Sequence, residues 1–267
     1  MEHISPLQLM DEIEACSKKK ANYSIHYMLF TGFLSGALLA YSTAFALKAS
    51  NGLPEGIASL VAGAVFPVGF AMIVLLGLEL ATGSFAILPV GIARGKTTYG
   101  EMLRNWGWVY LGNFLGCIAV GVLFTIMLTE GFTHPSGSLG ARLIAVAESK
   151  TLVHEQAGVS GWMTAFVKGI LCNWMVALGT VLGLSTTTTT GKIAAIWLPI
   201  SMFFALALEH SIVNMFLIPT AILLGADITV QQWLVWNQIP VTLGNIVGGA
   251  VFAGLLLHYA HRPNPAI

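Results

Sequence analysis

The sequence predicts an all-α membrane protein: six transmembrane helices in two inverted three-helix repeats, with the second and fifth helices broken. Three observations predict it. Of 267 residues, 56% are hydrophobic and 9% charged, against about 25% charged in soluble domains, and the mean hydropathy is +0.79. The charges cluster, so that 56–78, 105–129 and 228–261 carry none, and each run exceeds the roughly 20 apolar residues that cross a hydrocarbon core. The third observation is internal repetition.

Residues 1–26 open with "MEHISPLQLMDEIEACSKKKANYS". A cleavable signal begins basic and continues apolar; this stretch is acidic first and basic last. Ile4, Leu7, Leu9, Ile13 and Ala15 recur at helical spacing, which predicts a short amphipathic helix along the cytoplasmic membrane surface. A transmembrane domain follows over 27–260, with spans at 27–47, 57–93, 106–128, 161–184, 193–224 and 239–260, then a cytoplasmic tail over 261–267. The second and fifth spans are too long for one straight crossing and hold polar residues midway, so each reads as two half-helices. Lys18, Lys19, Lys20, Arg94, Lys96, Arg104, Lys192 and Arg262 fall on one side and Lys48, Arg142 and Lys150 on the other. The positive-inside rule therefore puts both termini in the cytoplasm, as in a multi-pass protein of a bacterial inner membrane. Lys168 lies at a boundary, either snorkelling to the interface or lining a vestibule. Cys16, Cys117 and Cys172 show neither metal-ligand spacing nor pairing and read as packing residues.

The repeat is visible in three places. "GLELATGSF" (77–85) corresponds to "ALEHSIVNMF" (207–216), with Glu79 against Glu209. Asn105 and Asn113 match Asn237 and Asn245, and Gly32 matches Gly169. Each half has an odd number of spans, so the halves enter the membrane in opposite directions. Such repeats place a site near the midplane where the breaks meet, and irregular backbone survives at that depth only when protein covers it or it lines a watery path. Asn113 and Asn245, each inside a Leu-Gly-Asn triplet, read as interhelical glue.

The segments "GLELATGSF" (77–85), "FVKGILCNWMVALG" (166–179), "FALALEHSIVNMFLIP" (204–219) and "IPVTLGNIVGG" (239–249) resemble the formate/nitrite transporter family, in order and over nearly the whole chain. That resemblance implies an aquaporin-like protomer with its own pore, a homopentamer, and transport of small monovalent anions such as formate, nitrite or hydrosulfide. Carried over by residue, His210 corresponds to the central pore histidine, Asn173 to the asparagine beside it, and Thr82 to the threonine on the broken second helix. Phe66, Phe70, Leu80 and Phe203 correspond to apolar constrictions. Glu209, Glu79 and Asn214 support the breaks, and Lys168, in a different motif, is a further supporting residue. Two departures stand out: Ala81 sits where the family often has phenylalanine, and the loop holding Lys150 is long, with "VHEQAGVS" (153–160) following that lysine.

An anion leaving water needs donors to replace its hydration. Asn173 offers an amide, Thr82 a hydroxyl, and the broken helices offer free N–H groups with positive partial charge. Apolar rings exclude hydrated ions and gate by dewetting. His210 carries the side chain whose ordinary pKa lies nearest neutrality. It either donates a proton to the anion, which then crosses as the neutral acid, or stays neutral as a hydrogen-bond donor; the sequence leaves both open. Substrates then rank as nitrite slightly ahead of formate, with bicarbonate and hydrosulfide behind, and chloride disfavoured as a poor proton acceptor.

Other functions fare worse. A neutral-solute pore would suit six spans with two half-breaks, but the paired Asn-Pro-Ala signature is absent. No HExxH and no Gly-x-Ser-x-Gly marks an enzyme. "STTTTTG" (185–191) lacks the glycine spacing of a phosphate loop and reads as a polar turn. A net charge of zero gives no basis for a nucleic-acid partner, and no cofactor or metal site is expected.

Overall fold

The computed structural model describes residues 3–261; most of the expected 261–267 tail, with Arg262, lies outside the described residues. The chain folds into α1 (Pro6–Ala21), α2 (Ile25–Ala49), α3 (Glu55–Val65), α4 (Pro67–Leu75), α5 (Ala81–Ala93), α6 (Tyr99–Leu128), α7 (Gly137–Gln156), α8 (Val159–Leu184), α9 (Thr189–Ala205) and α10 (Ser211–Leu223). A last helix, α11 (Val230–Ala260), contains π-helical stretches at Leu234–Gln238 and Gly248–Leu255. Helices α2, α6, α8 and α11, and α3 with α4 taken as one segment, are each long and apolar enough to cross a membrane. The remaining crossing is divided by its break into α9 and α10.

Helices α6 and α11 begin earlier than hydropathy suggests, because each starts with a capping box. Thr98 with Glu101, and Thr229 with Gln232, satisfy each other's backbone donors, which anchors a helix start independently of apolar content. The long loop after α6 is largely the helix α7.

With α3 and α4 taken as one segment, the two halves correspond element by element: α1–α6 in the first, α7–α11 in the second. In each half a glycine-bearing pair of spans packs at backbone distance. A Cβ on Gly116 of α6 would stand 2.0 Å from the Phe33 carbonyl oxygen of α2, and one on Gly248 of α11 would stand 2.2 Å from the Ile170 carbonyl oxygen of α8. Only glycine fits at either crossing. Tyr110 of α6 and Thr242 of α11, which hold the same place in the two repeats, hydrogen-bond to each other at 2.7 Å. The pseudo-twofold axis therefore runs between α6 and α11.

Helix α1 belongs to this scheme as the counterpart of α7. Its Met10 and Ile13 pack on Ile87 and Val90 of α5, while Leu7 stays exposed. Arg94, at the end of α5, pairs with Asp11 and Glu14, each at 2.9 Å. One face of the helix thus meets protein, and its C-terminal end enters the fold.

Candidate functional site

Each half holds one break, and both are built alike. After α4 the chain turns through Gly77 at φ 66°, and after α9 through Ala207 at φ 50°. In both turns an N–H reaches back five residues, Leu78 to Ile73 and Leu208 to Phe203, which closes the helix with a Schellman-type cap. Leu80 and His210 are then extended, at φ −120°, ψ 124° and φ −111°, ψ 118°, and precede α5 and α10.

Freed backbone groups at such a break need partners, and one asparagine per half supplies them. Asn113 accepts from the Ala81 N–H at 3.0 Å and donates to the carbonyls of Gly32 and Glu79 at 2.9 and 3.0 Å. Asn245 accepts from the Ser211 N–H at 2.8 Å and donates to the carbonyls of Gly169 and Glu209, each at 2.9 Å. Both amides are therefore structural.

The two glutamates point away from the join, each onto a lysine from the short helix of its own half. Lys20 meets both Glu79 oxygens at 2.8 Å, and Lys150 meets Glu209 at 2.8 Å. The spacing is 59 residues in both cases. Burial alone would pull the Lys20 ammonium down, but the facing carboxylate outweighs it and holds the amine above its ordinary range. Glu209 also accepts from Asn214 at 2.8 Å and Asn237 at 3.2 Å. Lys20 was not anticipated from sequence as a buried partner; extending the repeat upstream from Glu79 and Glu209 would have paired it with Lys150.

His210 stands at the junction of the halves. Its Nδ1 accepts the Val213 N–H at 3.2 Å, so the side chain caps α10. Its Nε2 lies 3.2 Å from the Thr82 hydroxyl in the first turn of α5. With Nδ1 an acceptor, the neutral ring carries its proton on Nε2. The N-terminal ends of α5 and α10 thus meet at Thr82 and His210, and two positive helix ends converge there. Leu80, the repeat counterpart of His210, is buried at the first break.

Asn173 departs from expectation. Its Nδ2 donates to the Thr82 carbonyl at 3.1 Å and the Asn245 carbonyl at 2.7 Å, so both amide hydrogens are spent holding α8 to the first turn of α5 and to α11. The expected NH₂ donor for an anion is therefore engaged, and the Oδ1 is left buried without a partner.

The apolar residues sort into two places. Phe66 meets Phe203 edge-on, with centroids 5.5 Å apart at 86°, and Phe203 lies 5.7 Å from the His210 ring. Phe204, not singled out in the sequence, stacks on Phe66 at 4.0 Å. Its only signal was its place beside Phe203. Phe70 sits one turn further along α4, its ring near Gly179 of α8, where the side chain of Ile200 from α9 packs closest. A cavity of about 620 Å³ is lined by Phe203, Phe204 and His210 together with Arg142, Lys150 and Lys168. Lys168 therefore lines this cavity. Among the described residues, no group of three or more histidine, cysteine, aspartate or glutamate side chains could hold a metal.

The sequence model of the family described as "Formate/nitrite transporter" matches residues 7–259. A "Probable formate transporter" of Methanothermobacter thermautotrophicus is 35% identical over 269 residues, covering 96% of this chain and 97% of its own. The "Formate channel FocA" of Haemophilus influenzae is 34% identical over 277 residues, covering 96% and 94%. Among solved structures, a "Pentameric formate channel with formate bound" superposes with a TM-score of 0.73 at 28% identity, over 89% of this chain and 97% of that one. An "FNT family ion channel" superposes with a TM-score of 0.81 at 26% identity, over 96% and 99%. These matches span the chain from α1 to α11 and agree with its broken, inverted repeats: the protein is a multi-pass membrane transporter that belongs to the formate/nitrite transporter family.

Proposed function

We propose that the protein passes a small monovalent weak-acid anion, formate first and nitrite next, through a pore in each protomer, by way of His210 and Thr82. The observation that carries the reading is the 3.2 Å approach of His210 Nε2 to Thr82 Oγ1, where a proton-bearing nitrogen, a hydroxyl and two helix N-termini converge beside an aromatic neck. Formate is placed ahead of nitrite because relatives named formate channels match over nearly the full chain. A homopentamer is part of the proposal, on the likeness to a pentameric formate channel. The distribution of lysine and arginine supports cytoplasmic termini in an inner membrane, with the Arg142–Lys168 mouth outside.

In this reading the anion enters the mouth, where water and lysines are available, and meets the Phe66–Phe203 neck. An unpaired charge is costly there, so the anion takes a proton from the wet mouth and crosses as the neutral acid. His210 serves as the Nε2–H donor that receives a substrate oxygen in place of Thr82. Its Nδ1 cap favours this role over handing its own proton to the anion, because reloading the ring through Nδ1 would break the α10 cap. Leu80 and Phe70 narrow the path beyond, Lys168 draws the anion in, and Asn173, Glu79, Glu209 and Asn214 hold the breaks. Chloride, a very poor proton acceptor, is refused.

Proteoliposomes loaded with a pH dye test this. Formate and nitrite jumps acidify the lumen with little net current, chloride and glycerol do neither, and Thr82→Val slows formate at least about tenfold, the worth of one hydrogen bond to a charged or strongly polar group. Current without acidification would mean that the bare anion passes. Movement of glycerol alone would make this a neutral-solute pore.

A further inference from the structure

The mouth is much larger than the substrate proposed for it. Its volume of about 620 Å³ falls within the roughly 300–1,000 Å³ typical of sites that enclose drug-sized ligands, and a three-heavy-atom anion leaves most of it unfilled. Its lining is partly apolar and aromatic, with Phe203, Phe204 and Leu208, and it carries Arg142 from α7 and Lys168 from α8. Lys150, on the same wall, is committed to Glu209 at 2.8 Å. Arg142 and Lys168 have no carboxylate within ion-pair distance among the described residues, and Glu55 at the head of α3 is the remaining acid on the lining. Apolar and aromatic lining beside two uncommitted cations is complementary to an anion with an apolar body. Arginine adds a planar, bidentate fork suited to carboxylate.

We infer that this mouth is a binding site in its own right for organic anions bearing an apolar body, aryl or alkyl carboxylates too wide for the neck, and that their binding plugs the pore. The carboxylate lies against Arg142 and Lys168, and the body covers Phe203 and Phe204. Passage stops at the neck, where Phe66 and Phe203 are both buried and set edge to face. The plugging half of the inference rests on the pore reading; the binding half does not.

Benzenesulfonate is the probe: it has the same charge and body, and as a strong acid it neither crosses lipid nor takes up a proton. Two readouts separate the two readings. Calorimetric titration into the detergent-purified full chain measures binding, and labelled formate uptake by proteoliposomes, with the probe on both sides, measures plugging. Benzenesulfonate binds and slows formate uptake over the same concentration range, whereas methanesulfonate, which lacks the body, requires at least about tenfold more. Arg142→Gln and Lys168→Gln each weaken binding about tenfold, the loss of one charge-assisted contact. Lys192→Gln, which removes a charge away from this cavity, leaves binding unchanged. Formate uptake without calorimetric binding would overturn the inference and leave the transport reading intact. Binding that Arg142→Gln and Lys168→Gln do not change would overturn the assigned site. Binding without any formate uptake would keep the site and defeat the transport reading.

Discussion

His210 does two jobs with its two nitrogens, and substitutions can separate them. Nδ1 caps α10 by accepting the Val213 N–H, and Nε2 faces Thr82. Asparagine is among the best N-cap residues, so His210→Asn keeps the cap but withdraws the Nε2–H. Its thermal unfolding in detergent stays close to wild type, within about 0.5 kcal/mol, while formate uptake falls. His210→Leu loses the cap as well and unfolds about 1 kcal/mol more easily, the ordinary worth of a cap. If His210→Asn destabilised as much as His210→Leu, the capping role would be wrong. At this scale the sequence was informative where a residue's chemistry is singular, as with a histidine between apolar runs. It was uninformative about Asn173, because an amide in a transmembrane helix looks the same whether its hydrogens face a substrate or, as here, two backbone carbonyls.

The breaks show how an element is made from a few residues, and where the two copies differ. Gly77 and Ala207 occupy the same left-handed position, at φ 66° and 50°. That conformation costs a residue with a Cβ roughly 1–2 kcal/mol, whereas glycine costs about 0.4–1 kcal/mol through a freer unfolded chain. Ala207→Gly therefore stabilises by about 0.5 kcal/mol and Gly77→Ala destabilises by a similar amount; nothing lies within 4 Å of a Cβ at Gly77, so sterics do not confuse the second result. Denaturant unfolding in mixed micelles reads both, and a loss of stability in Ala207→Gly would refute the strain. Break positions were legible from span length and polar interruption. The early starts of α6 and α11 were not, because capping by Thr98 and Thr229 does not register in hydropathy, and neither was α7, whose charges had it read as loop.

Across the whole molecule, each half of the fold is pinned by a lysine, Lys20 buried and Lys150 half-buried, on a buried glutamate, reached from a helix outside the main spans. The repeat was legible in Glu79, Glu209 and the four asparagines, but it stopped short of α1 and α7, whose sequences share little beyond the lysine. The two pins are not equal. Lys20 is the side-chain donor to both Glu79 oxygens among the described residues, whereas Glu209 has Asn214 and Asn237 besides Lys150. Removing one partner of a buried ion pair typically costs about 3–5 kcal/mol, because the other charge is left uncompensated. Lys20→Met should fall at the upper end of that range and Lys150→Met at or below the lower, since two amides still solvate Glu209. Adding Glu79→Gln to Lys20→Met should restore most of the loss, because the stranded charge is then gone. Wild type and the three variants compared by denaturant unfolding give the order directly. Equal losses for Lys20→Met and Lys150→Met would mean that the amides of Asn214 and Asn237 carry no share of the Glu209 charge, and that the two halves are anchored by their lysines alone.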